Sequence, residues 1–242
     1  MLTLYQFPIS HYCEKIRWAL DHKKLDYQVK NLLPGLHKLT TKQFASSSLP
    51  ILVHGDKAVQ NSSDIITYLD TQFPQALLAP EDKALKQEAL DWEKFADEQI
   101  GIAVRVICYH VLLDHPTVVM PFFTHDGPWY GPYLIKAIFP RLRAAMRTGM
   151  NINAETAEAA NLQLAVALDK VYTRLQNRQF LVGEQFTRAD LATASLLAPL
   201  CKPKQYGLPW PECFPEPLEA IIAQHSEKLA WVNSLYANYR NL

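Results

Sequence analysis

A serine and a cysteine lie three residues apart at the point where a strand-like segment passes into a helical one. Residues 4–23 read LYQFPISHYCEKIRWALDHK, in which Ser10 and Cys13 form an S-x-x-C pattern shortly after Pro8. A helix N-terminus presents unpaired N–H groups and about half a positive charge, so it favours an anion such as a thiolate. The pattern therefore indicates either a helix cap or a site that stabilises a thiolate.

A serine hydroxyl that donates a hydrogen bond to a bound thiolate would favour ionisation of that thiol. Such a bond contributes roughly 1.5–3 kcal/mol, which lowers the thiol pKa by about one to two units. From an ordinary thiol pKa of about 8.5, the thiolate fraction at pH 7 would rise from a few per cent to tens of per cent. The local sequence leaves both roles of Ser10 open, activation of a thiol and simple capping.

The spacing of apolar residues changes near residue 78, which predicts a domain boundary there. Before it, the pattern predicts the order β-α-β-α-β-β-α, with Glu14 and Lys15 away from the apolar face of the first helix. The last helix of this part, SSDIITYLDTQF, is predicted to begin at an N-cap of Ser62 or Ser63.

Helical periodicity prevails in the rest of the chain, over residues 82–113, 131–148, 154–178, 188–200 and 216–239. Thr187 and Asp190 have the spacing of a capping box at the start of one of these helices. We predict an α/β domain over residues 1–77, a linker over residues 78–84, and an all-helical domain over residues 85–242.

Composition and charge disfavour several classes of protein. Among the 242 residues, 24 basic and 24 acidic side chains cancel, which argues against binding to nucleic acid or to an anionic membrane. A signal peptide is not predicted, because the amino-terminal MLTLYQFPIS lacks a basic region and a long apolar stretch. A membrane span is not predicted either, because the most apolar later segment, IGIAVRVICYHVLL, is short and contains Arg105 and His110. The four cysteines lie far apart and form no C-x-x-C motif, which indicates reduced thiols and a cytoplasmic location.

Two histidine–cysteine pairs superficially resemble metal ligands. They are His11 with Cys13 and Cys108 with His110. Neither pair has the further ligands that a zinc site needs, so no metal is predicted.

Three motifs, in chain order, resemble those of the glutathione transferase superfamily. They are FPISHYCEKIRWALDHK, SSLPILVHGDKAVQNSSDIITYLD and FLVGEQFTRADLATAS. The first resembles the start of the first helix in serine-type members, in which the activating serine stands at the position of Ser10. The resemblance implies a thioredoxin-like amino-terminal domain followed by an all-α domain, and a homodimer that uses glutathione as co-substrate.

The resemblance also implies a set of site residues. Ser10 would activate the thiol. Glutathione would be held by Lys38, Leu49, Pro50, Asn61 and Ser62, with a cis peptide bond before the proline. The pocket for the electrophile would include Tyr12, Gly101, Arg105 and Tyr109. Two alternatives remain: Lys38 would belong to a solvated loop, and Gly101 would only allow close helix packing.

The resulting prediction is an enzyme that adds the glutathione thiolate to a small hydrophobic electrophile. One alternative is a non-catalytic protein of the same fold that carries glutathione or apolar ligands. Asn61 favours it, since the family often has Glu, Gln or Asp there, and so does Asp64, a carboxylate near the place where another must bind. A second alternative is a glutathione-dependent thiol oxidoreductase. It would have to use Cys13 as a single thiol, because serine occupies the first position of the motif.

Overall fold

The amino-terminal part of the protein is a four-stranded mixed sheet with the strand order β2-β1-β3-β4. The computed structural model describes residues 1–44 and 48–240. The strands are β1 (Leu2–Gln6), β2 (Tyr27–Asn31), β3 (Ile51–His54) and β4 (Lys57–Gln60). The pair β1–β2 is parallel, whereas β1–β3 and β3–β4 are antiparallel. The accompanying helices are α1 (His11–His22), α2 (His37–Thr41) and α3 (Ser62–Gln72). This arrangement confirms the predicted thioredoxin-like order.

The helix α1 is buried on almost every side. Ile16, Trp18 and Leu20 are fully buried, as an amphipathic pattern predicts, but Glu14 and Lys15 are fully buried as well. The reason is that α1 packs against α3 on one flank and against a helix of the carboxy-terminal part on another. The polar face of α1 therefore becomes part of the interior.

Helices make up the rest of the described chain. They are α4 (Lys83–Phe95), α5 (Ile102–Leu112), α6 (Pro116–Thr124), α7 (Gly131–Gly149), α8 (Ala154–Leu175), α9 (Arg188–Cys201), α10 (Leu218–Gln224) and α11 (Ser226–Tyr239). A π-helical turn, Ala96–Gly101, joins α4 to α5, and a 3-10 turn, Lys204–Tyr206, follows α9. No helix in the described ranges is both long enough and apolar enough to span a membrane.

The helical part differs from the sequence prediction in three places. The sequence pattern does not predict α6, because Pro116 at its start and Pro121 within it resemble breaks. The predicted helix over residues 216–239 consists of two helices that meet at His225. The predicted helical stretch over residues 82–113 is likewise divided, into α4, which begins at Lys83 with Asp82 as its N-cap, the π-helical turn and α5.

The helix α9 forms the centre of the helical part, since all of its residues from Arg188 to Leu200 are buried. Its start is the predicted capping box. The Asp190 carboxylate accepts hydrogen bonds from the backbone N–H groups of Thr187 (2.9 Å) and Leu181 (2.8 Å). Burial raises the pKa of Asp190 to about 6. The box satisfies N–H donors that would otherwise lie unpaired in the core.

We expect Thr187→Ala to lower the free energy of unfolding by about 0.5–2 kcal/mol, because the helix loses its N-cap hydroxyl. That hydroxyl accepts from the Ala189 N–H at 3.3 Å and donates to Asp190 at 3.0 Å. Urea denaturation followed by circular dichroism measures the loss. Thr187→Ser keeps the hydroxyl and is the matched control. Equal losses in the two variants would show that packing of the methyl group, rather than capping, stabilises this helix start.

Candidate functional site

Two adjoining cavities open at the amino-terminal end of α1. The first measures about 740 Å³, and its polar lining includes the loop before β3 and the start of α3. The second measures about 660 Å³, and its walls are mainly apolar. They include Phe7, Val104, Leu112, Phe122, Phe123, Met146 and Trp210. Tyr12, Ser48 and Leu49 line both cavities, so the two spaces meet at these residues.

Ser10 lies on the wall of the second cavity, two residues before Tyr12, which lines both cavities. It is the N-cap of α1, and its hydroxyl oxygen accepts a hydrogen bond of 3.4 Å from the Cys13 N–H. Its extended backbone (φ −74°, ψ 120°) is typical of an N-cap. The capping role is thus confirmed. Capping leaves Ser10 on a cavity wall, where a hydroxyl can also meet a ligand.

Cys13 lies one turn further along α1 and is fully buried. Burial raises the pKa of its thiol, against a smaller lowering by a hydrogen bond with the Ser10 side chain. Cys13 lines neither cavity in the described part of the chain. A buried thiol of raised pKa carries little thiolate at neutral pH, so it is a poor nucleophile.

Four of the residues predicted to hold glutathione come together in the first cavity: Leu49, Pro50, Asn61 and Ser62. The Leu49–Pro50 peptide bond is cis, which confirms the prediction. The fifth residue, Lys38, lies instead on the wall of the second cavity. The reason is that Lys38 belongs to α2, which packs beside the second cavity rather than beside α3.

The N-cap of α3 is Asn61, so the prediction of Ser62 or Ser63 is wrong. The Asn61 side chain accepts a hydrogen bond from the Ser63 N–H at 3.1 Å. Its φ of +72° lies in the left-handed region, which asparagine tolerates better than most residues. This turn places the capping residue one position earlier and puts the N-terminus of α3, which favours anions, against the first cavity.

Three of the residues predicted for the electrophile pocket line the second cavity: Tyr12, Arg105 and Tyr109. Gly101 does not. A Cβ atom at Gly101 would lie 2.4 Å from the Tyr12 hydroxyl oxygen and 3.1 Å from Leu196. The Tyr12 hydroxyl is held there because it donates to the Asp97 carbonyl oxygen at 2.7 Å. Gly101 therefore allows close packing behind Tyr12, which corrects its assignment to the pocket.

A largely buried charge cluster borders the first cavity, and three of its members line that cavity. It consists of Lys15, Ser63, Glu93, Asp97 and Arg188. The Lys15 ammonium lies 2.8 Å from both Glu93 Oε1 and Asp97 Oδ1. The Arg188 guanidinium contacts Glu93 Oε2 and donates to the Ser63 carbonyl oxygen at 2.9 Å. The cluster thus joins α1, α3, α4 and α9 around the start of α3.

The balance of charge in this cluster keeps Glu93 ionised. Burial opposes ionisation, but the Lys15 ammonium and the Arg188 guanidinium outweigh it and hold the pKa of that carboxyl below its usual range. Sequence analysis misses this cluster because its members are far apart in the chain. The only local signal is Arg188, which follows the capping residue of α9.

Over residues 1–44 and 48–240, no group of three or more histidine, cysteine or acidic side chains is arranged to hold a metal ion.

A thioredoxin-like sheet followed by a helical part agrees with the comparisons to known proteins. The model of the glutathione S-transferase N-terminal domain matches residues 4–77, and that of the glutathione S-transferase C-terminal domain matches residues 116–208. The chain belongs to the glutathione S-transferase superfamily.

The sequence identities to individual relatives are low. Glutathione S-transferase 1 of Dianthus caryophyllus is 36% identical over 98 residues, which cover 38% of this chain and 42% of that protein. The matched part is therefore less than half of that relative. Tetrachloro-p-hydroquinone reductive dehalogenase of Sphingobium chlorophenolicum is 24% identical over 225 residues, 81% of this chain and 82% of that one.

A solved glutathione S-transferase from Methylobacillus flagellatus, with glutathione bound, has a TM-score of 0.64 to this chain at 20% identity. The comparison covers 98% of this chain and 95% of that one, and it shows that the two proteins share a fold.

Proposed function

We propose that this protein is a serine-type glutathione transferase, in which Ser10 stabilises the glutathione thiolate for attack on a small hydrophobic electrophile. The observation that carries the proposal is the position of Ser10. It caps α1 and lies on the wall of the apolar cavity, two residues before Tyr12, one of the residues at the junction with the polar cavity. A thiolate at this junction would meet the partial positive charge of the helix N-terminus and a hydroxyl donor together.

The first cavity suits glutathione. Its γ-glutamyl carboxylate would lie at the N-terminus of α3, where Asn61 and Ser62 line the wall. The cysteinyl unit would pair with the backbone of Leu49 beside Pro50, which brings its sulfur towards the second cavity. Lys38, on the neighbouring wall, would reach the glycyl carboxylate.

The second cavity suits an apolar electrophile, since its walls carry aromatic and aliphatic side chains with Tyr12, Arg105 and Tyr109 among them. The thiol proton passes to solvent when the sulfur ionises. The sulfur then forms a bond to the electrophilic carbon, and the leaving group departs with its electron pair. Tyr12 borders both cavities, so it would contact both substrates.

The burial of Cys13 speaks against the oxidoreductase alternative, because a mixed disulfide needs an accessible thiol. The non-catalytic carrier differs from the enzyme in one respect only, the absence of turnover.

The test combines glutathione binding by calorimetry with conjugation of 1-chloro-2,4-dinitrobenzene. We expect saturable binding and glutathione-dependent release of chloride. Binding without turnover would identify a carrier, and the absence of binding would overturn the proposal.

We further propose that residues 1–77 and 85–242 are the two domains, and that the protein is a cytoplasmic homodimer. Two-fold dimers are the commonest oligomers. At micromolar concentration, sedimentation equilibrium should give twice the chain mass of 27.6 kDa. A mass of 27.6 kDa at that concentration would exclude the dimer.

A further inference from the structure

The second cavity is apolar but not electrically neutral. Lys38 and Arg105 are the charged side chains in its described lining, and no carboxylate accompanies them there. An apolar cavity with cations and no acid has a positive potential, and its low polarity strengthens that potential. Such a cavity favours anionic ligands over neutral ones.

Arg105, which is half-buried, differs in its partners from the buried arginines. Arg17 and Arg240 are each paired with Glu14, and Arg188 is paired with Glu93. Arg105, in α5, forms no ion pair within residues 1–44 and 48–240, and its buried Nε atom has no hydrogen-bond partner there. A guanidinium presents a planar fork of donors that matches a carboxylate.

A second unpartnered nitrogen belongs to the same cavity wall. His11 is only 6% exposed, and its buried Nε2 atom has no hydrogen-bond partner in the described part of the chain. Burial, with the nearby charge of Arg105, lowers the pKa of His11 to about 3, so the imidazole is neutral. Buried polar groups in folded proteins are normally satisfied, so two orphaned nitrogens on one wall indicate a place for a polar ligand group.

We propose that the second substrate is an amphipathic anion, an aromatic electrophile that carries a carboxylate. Its ring would fill the apolar cavity, and its carboxylate would bind Arg105 and accept a hydrogen bond from His11 in the tautomer that carries its proton on Nε2. This inference rests on the proposed function, because the second cavity is taken to hold the electrophile. A neutral electrophile would leave the Arg105 guanidinium desolvated and unpaired.

A substrate of this class is 4-chloro-3-nitrobenzoate. The glutathione sulfur would form a bond to the carbon that carries chlorine, and chloride would leave with its electron pair. The carboxylate, at the opposite end of the ring, takes no part in the reaction. Arg105 and Ser10 both lie on the wall of this cavity. Arg105 would therefore bind the carboxylate at one end of the ring, while Ser10 would stabilise the thiolate that attacks the other end.

Binding without turnover tests the inference independently of catalysis. Calorimetry in the absence of glutathione compares 2-naphthoate with the neutral 2-naphthamide. We expect the wild type to prefer naphthoate, and Arg105→Gln to weaken naphthoate about tenfold or more while naphthamide stays nearly unchanged. Arg178→Gln, which removes an exposed arginine, is the matched control and should change neither affinity.

Turnover gives the second measurement, as the ratio of kcat/KM for 4-chloro-3-nitrobenzoate to that for 4-chloro-3-nitrobenzamide. Arg105→Gln should lower this ratio about tenfold with glutathione affinity unchanged. Arg105→Lys keeps the charge and should retain most of the preference for the benzoate over the benzamide. This variant also tests the inference if Arg105→Gln does not fold.

Three results would overturn the inference. They are an unchanged ratio, equal weakening of naphthoate and naphthamide, and a loss of glutathione affinity in Arg105→Gln that matches the loss for naphthoate. The last would place Arg105 in the glutathione site instead. Arginine-dependent naphthoate binding without any turnover would refute the transferase but support the anion site.

Discussion

Ser10→Ala is expected to lower glutathione conjugation at pH 7 roughly tenfold or more while the protein stays folded. The hydroxyl's hydrogen bond to the thiolate contributes roughly 1.5–3 kcal/mol, so its loss raises the pKa of bound glutathione by about one to two units. The fold should survive, because a lost N-cap costs only about 0.5–2 kcal/mol. The measurement is kcat/KM with 1-chloro-2,4-dinitrobenzene from pH 6 to pH 9.

The pH dependence separates this mechanism from simple capping. The deficit of Ser10→Ala should shrink towards pH 9, because the unassisted thiol ionises there without help. Ser10→Thr retains a hydroxyl and should keep more activity at pH 7 than the alanine variant. An alanine variant with a lower melting temperature but an unchanged pH profile would show that Ser10 only caps the helix.

Cys13→Ser supplies the complementary control on the same helix turn. Because Cys13 is fully buried, the substitution should leave the conjugation rate nearly unchanged. Thiol reductase activity that disappears in Cys13→Ser and persists in Ser10→Ala would instead identify a cysteine enzyme.

Glu93→Gln is expected to destabilise the protein by about 3–5 kcal/mol at neutral pH, because it leaves buried cations without their shared carboxylate. The side chains of Lys15, Glu93 and Arg188 are at most 2% exposed, so water cannot replace the lost charge. Asp97 would remain as a counter-ion of Lys15, whereas Arg188 would lose its carboxylate partner. Urea denaturation at pH 7 measures the loss. Glu158→Gln, an exposed glutamate on α8, is the matched control and should stay within about 0.5 kcal/mol of the wild type.

The contribution of Glu93 to the free energy of unfolding should decrease as the pH falls. Its pKa is lowered in the folded protein from an ordinary value of 4.5. The stability that this carboxylate contributes is therefore fully present above pH 4.5 and is lost as the pH falls through the lowered pKa. The difference between wild type and Glu93→Gln should shrink in acid. A difference below about 1 kcal/mol at pH 7 would mean that the cluster relaxes around the substitution.

Local features of the fold could be predicted from local sequence. The alternation of β1, the proline at the start of β3 and the spacing of Thr187 and Asp190 each involve residues close together in the chain. The predicted chain order of strands and helices and the capping box of α9 are found in the structure, and so is the cis Leu49–Pro50 bond that the family resemblance implies. Such features depend on backbone preferences and short-range hydrogen bonds, which a motif expresses directly.

The residues of the candidate site could be predicted only where they belong to a family motif. Leu49, Pro50, Asn61 and Ser62 line one cavity, since the loop before β3 and the start of α3 are neighbours in the sheet domain. Lys38 lines the other cavity. Its position could not be predicted, because the periodicity of α2 does not indicate what that helix packs against.

The order of elements, the helix start at Ser10 and the superfamily motifs can all be predicted from the sequence. Only the packing of distant segments buries Glu14 and Lys15, places Gly101 behind Tyr12, and leaves Arg105 Nε without a hydrogen-bond partner within residues 1–44 and 48–240. These outcomes depend on contacts between distant segments, such as Lys15 with Glu93. Whether a polar side chain meets water, a counter-ion or an empty cavity is set by what packs against it, and periodicity does not record that.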